Sequence, residues 1–67
     1  MKITLNNNPE TVGSERITVS ELLRLKNFTF KMLIVKINGK LVLKGDYDKV
    51  VIGEGDDVQV LHLISGG

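Results

Sequence analysis

Asn38-Gly39 stands between two β-rich runs, Leu33-Ile34-Val35-Lys36-Ile37 and Lys40-Leu41-Val42-Leu43. An Asn-Gly pair favours the type I′ turn, in which both central residues take positive φ and the twist suits paired strands. A two-residue turn fixes the register, placing Ile37 opposite Lys40 and Val35 opposite Val42. Side chains alternate along a strand, so Val35, Ile37 and Val42 share one face while Lys36 and Leu41 share the other. A lone hairpin is marginally stable at best in water. The chain is therefore committed to a larger sheet with one face covered by something else.

The covering element is legible upstream. Thr18-Val19-Ser20-Glu21 has capping-box spacing: the Thr18 hydroxyl accepts from the Glu21 amide, and the Glu21 carboxylate reaches back to the Thr18 amide. Val19, Leu22, Leu23 and Lys26 follow at helical offsets, with only the Lys26 stem able to join the apolar stripe. A helix ending near Asn27 is too short to persist alone and must dock on the sheet. At least one of Phe28 and Phe30 is expected in the core.

The remaining strands are shorter. Lys2-Ile3-Thr4-Leu5 alternates polar and apolar residues as an opening strand. Asn6-Asn7-Asn8-Pro9 reads as a turn cluster, followed by a returning antiparallel strand around Glu10 to Val12. Gly13-Ser14 breaks that strand, with a resumption near Arg16-Ile17. Lys44 to Asp48 forms a polar connection, Val50-Val51-Ile52 a short edge strand or turn, and Gly53 to Asp56 a tight turn. Asp57 to Ile64 is the last strand, and Ser65-Gly66-Gly67 a bare tail. One mixed sheet of four to five strands with a single helix across one face, an α+β architecture, packs this order most simply.

Composition narrows the function. A chain of 67 residues allows one domain, here residues 1–64, with 65–67 expected as a flexible tail not ordered before a partner binds. Without Cys, the sequence holds no disulfide, thiolate metal site or cysteine nucleophile. The lone His62 rules out a multi-histidine metal site within one chain; its place in the core-facing series predicts a hydrogen-bonded, partly buried imidazole. Nine Lys/Arg against eight Asp/Glu leave a net charge of +1, too little for general attraction to nucleic acid or anionic membrane. Seven basic residues lie between Arg24 and Lys49 (Arg24, Lys26, Lys31, Lys36, Lys40, Lys44, Lys49), but they are spread over several elements without interleaved aromatics, as solvated surface is. The apolar run Met32 to Val35 is far too short to span a bilayer, and no charged-then-apolar leader opens the sequence. The expectation is a reduced, cytoplasmic protein, monomeric when alone, that is acted on by others rather than an enzyme.

Two features then stand out. In the last strand Val58, Val60, His62 and Ile64 form one series and Asp57, Gln59, Leu61 and Leu63 the other. Carboxylates are rarely buried unpaired, so the Asp57 series faces water and exposes Leu61 and Leu63, as a docking patch or as the site of a bulge or dimer contact. Gly66 and Gly67 lack β-carbons, so the backbone there can thread a narrow channel and present a carboxylate unshielded. Adenylation by ATP would turn that carboxylate into a mixed anhydride open to nucleophiles. A Gly-Gly ending is by itself also what a frayed terminus looks like.

The opening strand Met1 to Asn6, the segment Ile17 to Leu23, the hairpin Val35 to Val42 and the run Gly55 to Gly67 together resemble the small sulfur-carrier proteins of thiamine biosynthesis. These form the ThiS/MoaD-like family of the ubiquitin-like β-grasp superfamily, and the matching stretches cover nearly the whole chain in family order. The resemblance implies a β-grasp fold and a reactive Gly67. Its carboxylate would be adenylated by an E1-like, ATP-dependent, zinc-containing adenylyltransferase, with ATP, magnesium and zinc all on that partner and no cofactor on this chain. Sulfur from a cysteine-desulfurase persulfide relay would convert it to a thiocarboxylate, which a thiazole synthase would consume. Gly66 and Ser65 would thread the partner's active site, and Leu61, Leu63, Ile64 and Lys36 would bind the partner. The related molybdopterin-synthase small subunit, a ubiquitin-like protein modifier and an interaction or RNA-binding module are the alternative readings, in that order. Residues 6–15 depart from the compact first hairpin the resemblance implies, so an irregular connection is expected there. Tyr47 stands where an aromatic is common in the family, without the Pro-Arg often seen before it.

Overall fold

The computed structural model describes residues 1–28 and 32–62. In chain order the elements are β1 (Lys2–Leu5), β2 (Asn8–Thr11), β3 (Ile17–Thr18), α1 (Val19–Leu25), β4 (Leu33–Ile37), β5 (Lys40–Val42), a 3₁₀ turn (Lys44–Asp46), β6 (Val51–Ile52) and β7 (Asp57–His62). Five strands form one mixed sheet in the order β2-β1-β7-β4-β5, while β3 and β6 pair separately. The last strand thus lies at the centre, parallel to β1 and antiparallel to β4. This is the β-grasp arrangement.

The hairpin forms in the register its turn dictates, with Val35 opposite Val42 and Ile37 opposite Lys40, and with φ of 51° at Asn38 and 82° at Gly39. The first hairpin corrects the expected irregular connection. Asn6 and Asn7 take φ of 50° and 68°, a second two-residue turn, and Leu5 pairs with Asn8. Asparagine enters the left-handed region at little cost, so Asn-Asn does here what Asn-Gly does at the other hairpin. Pro9, expected as part of the turn cluster, lies instead within β2 opposite Thr4. The Thr4 amide donates toward β7, to the Asp56 carbonyl at 2.9 Å. The Thr4–Pro9 pair is therefore a non-hydrogen-bonded one, and the proline nitrogen falls on the free outer edge where no donor is required.

Helix α1 satisfies its own start. The Thr18 hydroxyl accepts from the Glu21 amide at 3.1 Å, and the Glu21 carboxylate accepts from the Thr18 amide at 2.9 Å. The next two helical amides are taken by the loop that follows β5: Val19 donates to the Val50 carbonyl at 3.0 Å and Ser20 to that of Tyr47 at 3.0 Å. At the other end Asn27 takes φ of 57°, and Phe28 and Asn27 donate to the carbonyls of Leu23 and Arg24, a Schellman closure with asparagine in the left-handed position. Lys26 leaves the last turn to meet Glu10 on the edge strand β2 at 3.1 Å.

The core lies between α1 and one face of the sheet. Ile3, Leu5, Val35, Val42, Val58 and Val60 come from the sheet, Val19 and Leu22 from the helix, and Val12, Ile17 and Ile52 close its margins. Phe28 and Tyr47 are partly buried against it, while Phe30 lies outside the described residues. His62 corrects its own expectation: it continues the core-facing alternation but is exposed, because the buried series stops at Val60 and His62 lies one pleat beyond.

Leu22 is fully buried in a domain whose total stability is on the order of 3–10 kcal/mol for its length. Leu22→Ala is expected to cost about 2–5 kcal/mol and to leave a large unfolded fraction at room temperature, measured by urea denaturation. The capping box carries a pH signature. The Thr18 amide, then its hydroxyl, hold the Glu21 carboxyl below its ordinary value of 4.5; desolvation opposes them and Arg24 adds attraction. A carboxyl with a lowered folded pKa gives stability that is present above 4.5 and lost as pH falls through the folded value. In Glu21→Gln the fall of stability with acid should be shallower over that window and unchanged near neutrality. Equal acid slopes in the two proteins would remove the capping box as the source.

Candidate functional site

The sheet has a second face, which no described element covers. Alternation along β7 puts Asp57, Gln59 and Leu61 on it, and pairing with β4 sets Lys36 beside Gln59 and Ile34 beside Leu61. Lys36 also faces Leu41 of β5, and Leu43 continues that side of the chain. This face is therefore graded. Asp56 and Asp57 open β7 at one end, Lys36 and Gln59 lie midway, and Ile34 and Leu61 lie at the far end.

The apolar part is exposed far beyond what isolated surface leucines require. Leu41 is 59%, Leu43 62% and Leu61 44% accessible, while Val35, Val42, Val58 and Val60 on the opposite face of the same strands are buried. Leu41 and Leu61 on strands either side of Ile34, with Leu43 directly after β5, form an exposed apolar strip, the kind of surface that marks a contact with another macromolecule. Lys36 stands at its rim, half-buried.

The acidic end is a structural junction. The Asn38 carboxamide donates to Asp56 Oδ1 at 3.1 Å and accepts from the Asp57 amide at 2.9 Å, while Asp56 Oδ2 accepts from the Gly53 amide at 2.8 Å. Glu54 accepts from the Lys2 amide at 3.1 Å. The Asp56 and Glu54 carboxylates are thus occupied by turns of the fold. Among the described residues no group of three or more His, Asp or Glu could hold a metal ion, and no helix is long and apolar enough to cross a membrane.

Of the residues singled out in the sequence, Leu61 and Lys36 lie on this open face, diagonally placed on neighbouring strands. Leu63, Ile64, Ser65, Gly66 and Gly67 lie outside the described residues. Ile34, Leu41 and Leu43 were not singled out as site residues. The hairpin register already puts Leu41 with Lys36, but only the β4–β7 pairing brings Ile34 opposite Leu61, a contact between segments far apart in sequence.

Comparison with known proteins gives a consistent result. The model of the ThiS family matches residues 3–67. The chain is 36% identical over 67 residues to a thiazole synthase of Magnetococcus marinus, of which it spans only 20%. It superposes with a TM-score of 0.87 on the crystal structure of the thiamine biosynthesis protein ThiS from Geobacter metallireducens, at 35% identity and with both chains fully covered. The solution structure of a thiamine biosynthesis protein from the same organism gives 0.78, also at 35% identity, with all of this chain and 88% of that one covered. A match that runs from β1 to the terminal glycines, on a sheet of the same topology, leaves one assignment: the chain belongs to the ThiS family, the β-grasp sulfur carriers of thiamine biosynthesis.

Proposed function

We propose that this chain carries sulfur as a thiocarboxylate on Gly67 and delivers it to thiazole synthesis. The reading rests above all on one observation: the central strand β7 runs past an uncovered apolar strip and leads, five residues after His62, to Gly67. In the first step a Gly67 carboxylate oxygen attacks the α-phosphorus of ATP and pyrophosphate leaves. The terminal sulfur of a persulfide then displaces AMP from the acyl carbon. Cleavage of the resulting S–S bond by a second thiol leaves the thiocarboxylate on Gly67 and a disulfide on the donor. The chain is a co-substrate of partner enzymes.

The partners follow from this chemistry. An E1-like adenylyltransferase would bring ATP, magnesium and its zinc, and a cysteine desulfurase would feed the persulfide. A thiazole synthase would take the sulfur; the relative from Magnetococcus marinus that bears that name supports this choice. Gly66 and Ser65 would thread the partner's narrow channel, where a β-carbon on Gly66 would obstruct passage. Leu61 and Lys36, with Leu63 and Ile64, would seat the carrier. Ile34 and Leu41 extend that seat across β4 and β5, and Leu43 continues it just past β5. An exposed apolar strip beside one cation suits a partner whose groove is apolar with an acidic rim.

Intact-protein mass spectrometry tests the reading after incubation with an E1-like adenylating enzyme, ATP-magnesium and a persulfide donor. Wild type should gain the mass of one oxygen-to-sulfur exchange, and a variant lacking Gly67 should gain none. Leu61→Arg and Leu41→Arg should slow the gain roughly tenfold or more, the effect of losing an interface anchor. Because both leucines are exposed, these variants should stay within about 0.5 kcal/mol of wild-type stability. A wild type that stays unmodified, beside a known carrier that is converted by the same enzymes, would overturn the proposal.

A further inference from the structure

Strand β7 changes its support partway along. On one side β4 pairs with it from Val58 to His62. On the other, β1 accompanies it only through Leu5 opposite Val58, because the chain turns away at Asn6 and Asn7. The parallel ladder has a regular rhythm up to that point: the Thr4 amide donates to the Asp56 carbonyl and the Asn6 amide to the Val58 carbonyl, both at 2.9 Å. The next rung needs an oxygen on residue 6 to accept from the Val60 amide. With φ at 50°, the Asn6 backbone carbonyl is turned elsewhere, and it accepts instead from the Asn8 carboxamide at 3.2 Å. The missing oxygen comes from the side chain: Asn6 Oδ1 accepts from the Val60 amide at 2.8 Å, across 54 residues of sequence.

We infer that Asn6 is a positioning residue for sulfur transfer, one whose carboxamide extends the β1–β7 ladder by one rung and so fixes Val60 and Leu61 where β7 meets its partner. The inference rests on the functional reading above and adds to it a residue outside the apolar strip and the tail. Val60 faces Val35 of β4 on one side and donates to Asn6 on the other, and Leu61, the next residue, stands in the apolar strip. A strand end held on one side only frays, and a partner that must dock it in extended form then has to order it. Held by Asn6, that ordering is present before the encounter. Few side chains meet the two demands together. The residue must accept a positive φ and must carry an acceptor about one carbonyl's reach from its own backbone, which leaves asparagine and aspartate.

Two substitutions separate these demands in the full-length chain. Asn6→Gly keeps the positive φ and deletes the acceptor; Asn6→Asp keeps both. In Asn6→Gly the Val60 amide should exchange with solvent roughly tenfold faster, the weight of one hydrogen bond, while the Val35 amide keeps its wild-type ratio to the other core amides. In the sulfur-transfer assay with an E1-like enzyme, ATP-magnesium and a persulfide donor, KM for the Asn6→Gly carrier should rise roughly 3- to 10-fold with kcat within about twofold of wild type. Asn6→Asp should restore both values. Unchanged Val60 exchange in Asn6→Gly would overturn the inference, as would faster Val60 exchange with an unaltered KM, which would leave Asn6 a purely structural residue. Failure of Asn6→Asp to rescue a folded protein would also count against it. If wild type itself accepts no sulfur, the functional reading falls and the positioning role falls with it. An indifferent Asn6→Gly beside an active wild type removes the positioning role alone.

Discussion

Everything in this small protein hangs on strand β7 having a neighbour on each side. Parallel pairing with β1 and antiparallel pairing with β4 join two hairpins that otherwise share no backbone hydrogen bond in the sheet. Once joined, they present Ile3, Leu5, Val35, Val42, Val58 and Val60 as one apolar surface, and α1 has something to rest on. The helix needs that surface, because seven residues are too few to hold helical structure in water. Its first two amides are in turn satisfied by carbonyls of the segment between β5 and β6, so sheet, helix and connecting loop form together.

What could be read in advance was local. Asn38-Gly39 announces its turn and its register, and Thr18 with Glu21 announces the helix start, because in each case the interacting groups lie within a few residues. The first hairpin was misjudged for a related reason. Asn6-Asn7 is a weaker turn signal than Asn-Gly, and Pro9 reads as a stop unless β2 is known to be an edge strand with the proline nitrogen facing outward. The expected burial of His62 failed because alternation assigns a face but does not say how far along the strand the helix reaches. Of the open apolar strip, Leu61 was visible from Asp57 and Gln59, the polar residues that share its series. Ile34 was not, since its place beside Leu61 depends on a pairing across the whole domain.

Asparagine has a recurring role in this fold. Asn6, Asn7, Asn27 and Asn38 take positive φ, and two of them spend their carboxamides on β7: Asn6 on Val60, Asn38 on Asp57. The strand is thus pinned near its start by one hairpin turn and near its described end by the other. Glycine could supply the backbone geometry at these turns but not the pins. Both side-chain bonds reach far along the sequence and lie at the turns, where a regular ladder has run out of backbone partners.

The position of β7 has a consequence for how the protein comes into being. The central strand comes after every other described strand, so β1 must wait through more than fifty residues of synthesis before the neighbour that completes it exists. Until Asp57 and the residues after it have been made, β1 and β4 each show an unpaired inner edge, and the valines destined for the core face solvent. Such intermediates are exposed to pairing with the wrong chain. A nascent chain halted between β5 and β7 is therefore two hairpins without a keystone, vulnerable to aggregation and proteolysis in a way the finished fold is not.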